Sequence, residues 1–340
     1  MKKVLCLILV FLLLSGCGAN NNDNNSDSTT TTTTEMTTIN NSVTESTNEI
    51  TETTHYSATT EATEAPLPEG MSSSIVKNNK SVYGKNTGTN ATFTGLEPLE
   101  TITLPVVDKD NLKGLSEERV GHSYGVSENG VPHDISVNNQ KIYEKYNGIC
   151  LDTSGEKVIY LTFDCGYENG CTNQILDVLK EKQVPAAFFV TLPYLKSAPE
   201  VTARMILEGH TVGNHSDTHP DFSTITRTDM AKEIENVDNY LRTKFGYSSC
   251  YFRFPQGAYS ESALDLVNNA GYKSVFWSSA YADWDVNNLK GKQYAYETVT
   301  SRLHPGCVLL LHAVSQDNAD ALGDIIDYAR AKGYEFKQLP

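Results

Sequence analysis

The side chains best suited to metal binding or proton transfer lie far apart in the chain. His215 and His219, in His215-Ser216-Asp217-Thr218-His219, stand four apart, so a helical turn would aim both imidazoles the same way. Two neutral imidazoles so placed make a half-site for zinc or a similar divalent ion, although surface and capping histidines share that spacing. Asp164, in Thr162-Phe163-Asp164-Cys165-Gly166, sits where an apolar run breaks into a glycine turn. A carboxylate there can act as a metal ligand, as a general base or as the N-cap of the following helix. Arg253 opens Arg253-Phe254-Pro255-Gln256-Gly257 and has the fork that grips a carboxylate bidentately; an ordinary surface arginine is the alternative. Asp283-Trp284 follows a later strand pattern, and His312 closes Cys307-Val308-Leu309-Leu310-Leu311, a place where a lone histidine is more often structural. Taken singly, none of these residues settles a chemistry.

The elements that position them alternate. Apolar, β-branched runs predict strands over 157–163, 186–190, 211–214, 251–254, 273–276, 307–312 and 335–339. Helical patterns fill the gaps at 172–182, 199–208, 228–245, 261–269 and 318–332. Short apolar strands between amphipathic helices predict an α/β fold with parallel strands inside, as a barrel or a doubly wound sheet. Asp164, His215, Arg253, Asp283 and His312 all fall at or just past strand C-termini, the rim where parallel α/β folds gather catalytic groups.

Together, Thr162-Phe163-Asp164-Cys165-Gly166, the two-histidine run, Arg253 to Gly257, Ala282-Asp283-Trp284 and Leu310-Leu311-His312 resemble the polysaccharide deacetylase family. This is the NodB-homology domain, or carbohydrate esterase family 4. The likeness covers 157–312 in the family's order and implies a distorted (β/α)7 barrel. Tyr160 to Gly170, Phe276-Trp277-Ser278 and His304-Pro305-Gly306 resemble one subgroup more closely, the N-acetylmuramic acid deacetylases of muramic δ-lactam formation. Residues 119–156 look like that subgroup's N-terminal extension. The resemblance implies Asp164 as general base, Arg253 as its orienter, and His312 as general acid tuned by Asp283. It further implies His215 and His219 as metal ligands, the Gln256 N–H as oxyanion donor, and Leu310 with Trp284 as the wall for the acetyl methyl. Where the family has a second, metal-binding Asp, this chain has Cys165, and Ala280 replaces another common Asp. Cys165 could ligate zinc as a thiolate. Alternatively, the two histidines, water and Asp164 could hold the metal, or the metal could be dispensable.

The rest of the chain bears on location. Lys2 and Lys3, an apolar run to Leu14 and then Leu14-Ser15-Gly16-Cys17 predict a lipoprotein signal peptide over 1–16 with lipidation at Cys17. Residues 17–70, rich in Thr, Asn, Ser and Glu, predict a disordered tether. Residues 71–118 look poorly ordered or loosely structured, which leaves 119–340 as the catalytic domain. Of the formal charge of −15, the tether carries −9 and the leader +2, so acidity says little about the ligand and nothing suggests nucleic acid. Beyond Cys6 and Cys17, five cysteines remain, an odd number with no zinc-finger spacing. The expected protein is an extracytoplasmic, membrane-anchored monomer that removes N-acetyl groups from peptidoglycan glycan strands. N-acetylmuramic acid is the first choice of sugar, with N-acetylglucosamine or another polysaccharide behind it. Its rival is a glycan-binding lipoprotein that has lost catalysis.

Overall fold

In this computed structural model residues 98–340 are described; the leader, Cys17, the whole tether and residues 71–97 lie outside them. The strands are β1 Val120–Gly121, β2 Val158–Cys165, β3 Ala187–Val190, β4 Thr211–Asn214, β5 Tyr251–Phe252, β6 Ala258–Tyr259, β7 Lys273–Ser274, β8 Cys307–His312 and β9 Glu335–Phe336. Seven of them form one sheet in the order β7-β5-β4-β3-β2-β8, with β9 paired to the start of β2, and every pairing is parallel. The sheet curls because the segment after β7 returns to β8. Ser279 pairs with Leu309, and the Leu310 N–H donates to the Ser279 carbonyl at 2.9 Å. This is the curled parallel sheet of a (β/α)7-type barrel, the fold that the family resemblance implies and one of the two that the strand pattern left open.

All eight residues of β2 are buried, and side-chain alternation divides them between the two faces of the sheet. Ile159, Leu161, Phe163 and Cys165 join the large apolar cluster under the outer helices. Val158 and Tyr160 belong to the other face, together with Thr162 and Asp164 by parity. Three of the helices covering the outside begin with side-chain caps from Ser or Thr. Thr226 accepts from Asp229 N before Arg227–Phe245, Ser260 from Ala263 N before Glu261–Asn269, and Ser315 from Asn318 N before Gln316–Ala331. Helices Asp134–Tyr143, Leu192–Ser197 and Lys292–Ser301 lie beyond those singled out from periodicity. Among the described residues no helix is long and apolar enough to cross a membrane. Cys150, Cys165, Cys171, Cys250 and Cys307 are all buried free thiols.

Residues 98–118, which precede the expected boundary at 119, pack against helix Arg227–Phe245. Residues 98–118 have almost no regular structure, yet Leu104 is buried. The Ile102 backbone bonds Asn239 through both its N–H and its carbonyl, the Leu104 N–H donates to Glu235, and Arg227 reaches the Val107 carbonyl. A segment satisfied by the side chains of a neighbouring helix needs no periodicity of its own, so its sequence looked loose.

Candidate active site

Arg253 follows β5, is wholly buried and organises the centre of the barrel mouth. Its Nη1 donates to Asp164 Oδ1 at 2.7 Å, Nη2 to Thr162 Oγ1 at 2.9 Å and Nε to the Val275 carbonyl at 3.0 Å. The guanidinium also lies 4.1 Å from the Phe189 ring centroid. Burial alone pushes the Asp164 pKa up. The positive charges of Arg253, His215 and His312 and the Arg253 hydrogen bond outweigh it, holding the carboxyl below its ordinary 3.8. Asp164 is therefore ionised at neutral pH, with Oδ1 committed to Arg253 and Oδ2 facing His215.

His215 follows β4, and its Nδ1 donates to the Arg253 carbonyl at 2.8 Å. That bond leaves Nε2 as the lone-pair nitrogen, 3.6 Å from Asp164 Oδ2. Burial depresses the His215 pKa to about 4, so two acceptor atoms face each other without a proton between them. This donor set suits a divalent cation. His219 completes the imidazole pair, with ring centroids 4.9 Å apart. The pair is not made by a helical turn. Residues 215–219 form a bent loop in which Ser216 and His219 take positive φ (70° and 60°), and the His219 N–H donates to Ser216 Oγ. Loop geometry rather than helical spacing brings the rings together.

Cys165 does not join them. Alternation along β2 sends it to the helix-covered face beside Leu161 and Phe163, fully buried. Burial, reinforced by the charges of Asp164 and Glu168, raises its thiol well above the ordinary value, the opposite of what a thiolate ligand needs. Among the described residues no group of three or more His, Cys, Asp or Glu side chains is arranged to hold a metal ion. The histidine pair with Asp164 alongside is thus an open half-site whose remaining ligands would be water.

His312, at the end of β8, is the register partner of Asp164 on the adjoining strand. Its Nδ1 bonds Asp283 Oδ1 at 2.6 Å, and its backbone N–H donates to Asp283 Oδ2 at 2.8 Å. Burial lowers the imidazole pKa, but the hydrogen bond and charge of Asp283, helped by Asp164, raise it above 6.5 overall. Asn318 Nδ2 donates to Asp283 Oδ2 at 2.6 Å, and Tyr281 Oη donates to Asn318 Oδ1 at 2.5 Å. Asp283, Asn318 and Tyr281 are all buried, so the carboxylate that orients His312 is itself fixed.

One pocket of about 600 Å³ exposes Asp164, His215, His219 and His312 together. Gln256, Trp284 and Leu310, each singled out from sequence, line it, as do Tyr124 and Trp277. Gln256 sits at φ 58°, which turns the loop after Pro255 across the mouth. Sequence reasoning missed Thr162, Asn318, Tyr281, His122 and Trp277. Thr162 sits beside Asp164 in its motif and Asn318 lies six residues past His312, but no spacing rule marks a residue that acts on a catalytic group's partner.

Residues 152–275 match the polysaccharide deacetylase family model. Over 226 residues, 66% of this chain and 85% of the relative, the protein is 44% identical to an uncharacterised protein of Geobacillus stearothermophilus. It is 42% identical to the peptidoglycan-N-acetylmuramic acid deacetylase PdaA of Bacillus subtilis over 228 residues, 67% of this chain and 87% of that one. The solved structure of PdaA, a family 4 carbohydrate esterase, superposes with a TM-score of 0.64 and covers 66% of this chain and 96% of its own. A family 4 carbohydrate esterase from Bacillus anthracis, 40% identical, gives 0.54 over 66% and 95%. The chain belongs to the polysaccharide deacetylase family, carbohydrate esterase family 4, and is a deacetylase hydrolase.

Proposed function

We propose that this deacetylase hydrolyses the acetamide of N-acetylmuramic acid in peptidoglycan, releasing acetate and leaving a free amine on the glycan strand. The observation that carries the reaction is the pairing of Asp164 and His312 as register neighbours on adjoining strands, each held by its own partner and both open to one pocket. The choice of sugar rests on 42% identity to PdaA, with 87% of that relative covered.

Asp164, ionised and held by Arg253, takes a proton from the attacking water as oxygen adds to the acetamide carbon. The Gln256 N–H accommodates the charge that develops on the carbonyl oxygen. His312, kept protonated by Asp283, delivers its proton to the departing nitrogen as the carbon–nitrogen bond breaks. Leu310 and Trp284 receive the acetyl methyl. A divalent ion bound at His215 and His219 would polarise the carbonyl and acidify the attacking water. The charged leader and Cys17 favour action outside the membrane on an immobile polymer.

The test is to digest peptidoglycan, with and without stem peptides, with the purified protein and to read the muropeptides by mass spectrometry. Muramic residues that lack one acetyl group are expected. Loss of acetyl from glucosamine alone would move the assignment to the other sugar, and unchanged muropeptides would refute the reaction.

A further inference from the structure

The stretch Val120–Tyr124 precedes everything that the family model matches, yet it lies against the reacting centre. β1 pairs antiparallel with β6, Gly121 opposite Ala258 and Val120 opposite Tyr259. One residue further, the His122 N–H donates to the Gly257 carbonyl at 2.8 Å. These bonds fall on the chain immediately after Gln256. Gln256 and Gly257 both have positive φ, 58° and 64°, and the first is an uncommon conformation for a residue with a Cβ. Such a turn keeps its shape only where its surroundings over-determine it.

The His122 ring supplies that determination from the other side. Its Nε2 bonds the Trp277 carbonyl at 2.8 Å and its Nδ1 the Tyr143 hydroxyl at 2.7 Å. Rings of Trp277, Phe276 and Tyr143 enclose it, with centroids 4.6, 5.0 and 5.7 Å away. Burial pushes its pKa down to about 4, so near neutral pH Nε2–H is the donor to Trp277 and Nδ1 the acceptor from Tyr143. Between His122 and Trp277 there is no room to spare. A Cβ on Gly257 would stand 2.8 Å from Trp277 Cη2 and 3.2 Å from His122 Cβ. Two residues on, Tyr124 enters the pocket wall and donates from its hydroxyl to the Ala280 carbonyl at 3.0 Å. The Ser136 hydroxyl holds the Tyr124 carbonyl at 2.6 Å.

We infer that Val120–Tyr124 completes the deacetylase site: His122 is a positioning residue for the loop that carries the Gln256 N–H, and Tyr124 contacts the bound amino sugar. This rests on the deacetylase reading proposed above. The two residues act differently. His122 touches no substrate and works through the oxyanion loop, so its loss falls on the chemical step. Tyr124 borders the space that the sugar fills, so its loss falls on binding.

The experiment uses the full-length protein and two readouts. The first is acetate release from glycan strands stripped of stem peptides by an amidase. His122→Ala is expected to lower kcat by about tenfold or more, since a displaced oxyanion donor forfeits part of its contribution. KM should change by less than about threefold. His122→Gln, which can again donate to the Trp277 carbonyl, is expected to recover much of the lost kcat. The second readout is tryptophan fluorescence, since both tryptophans of the chain, Trp277 and Trp284, line the pocket. Titration with tetra-N-acetylchitotetraose is expected to give a Kd at least about fivefold weaker for Tyr124→Ala than for the parent, the loss of one aromatic contact. A His122→Ala protein with unchanged kcat, or one impaired only in KM, would overturn the positioning role. A Tyr124→Ala protein that binds the tetrasaccharide as tightly as the parent, or a parent that shows no binding signal, would overturn the contact. Should the parent bind the tetrasaccharide but release no acetate, the deacetylase reading fails and takes the positioning role with it, while the titration still decides Tyr124.

Discussion

Replacing Arg253 with Met removes the cation that bonds Asp164 Oδ1 and leaves a buried carboxylate without that partner. Three guanidinium bonds are lost together, to Asp164, Thr162 and Val275, at a residue with no solvent exposure. Breaking a buried ion pair from one side costs about 3–5 kcal/mol, because the stranded charge has no water to turn to. For a domain of this size each kcal/mol lowers Tm by roughly 2–4 °C, so a fall of roughly 6–20 °C is expected. The double variant Arg253→Met/Asp164→Asn removes both charges. It should be more stable than the sum of the two single losses allows, by about 1–3 kcal/mol. Thermal and denaturant unfolding of the four proteins gives the cycle. A Tm for Arg253→Met within about 2 °C of the parent, or strictly additive losses, would refute the view that these two side chains are one buried unit. Activity offers a second reading of the same bond. Arg253 helps hold Asp164 below its ordinary range, so its loss raises that pKa and moves the acid limb of the pH–rate profile to higher pH.

Asp283→Asn removes the group that raises His312, so the proton leaves at lower pH and the alkaline limb of kcat moves down toward the ordinary imidazole value of 6.5; a pH–rate profile reads this directly. His219→Ala is expected to weaken zinc binding, measured by competition with a chelating dye, by roughly tenfold or more. Cys165→Ser should leave zinc affinity unchanged, because the thiol lies on the far face of β2. Gly257→Ala places a methyl 2.8 Å from Trp277 at φ +64° and is expected to cost about 1–3 kcal/mol in denaturant unfolding.

The rim residues were legible because each closes an apolar run, and the end of a buried strand leaves little choice of position. Asp164, His215, Arg253 and His312 therefore fall where the strand pattern puts them, and strand 211–214 and helix 261–269 keep their predicted bounds. Two kinds of information were hidden. Alternation along β2 had to be anchored to a face before Cys165 could be separated from Asp164, and only packing fixes that face. The His215–His219 pair owes its geometry to positive φ at Ser216 and His219, which no four-residue spacing encodes. Residues 98–118 and His122 escaped for a related reason. They satisfy their polar groups on distant partners such as Asn239, Glu235, Tyr143 and Trp277, and a local window cannot register bonds made more than 20 residues away.

The proposed reaction needs a carboxylate and an imidazole working on one acetamide. Side-by-side measurement of acetate released from stem-peptide-free glycan strands by the parent and by Asp164→Asn tests that most directly. The parent is expected to release acetate steadily and the variant roughly 10²–10⁴-fold more slowly, with its fold intact by circular dichroism. Equal rates from the two proteins would mean that Asp164 is not the base and that the chemistry lies elsewhere.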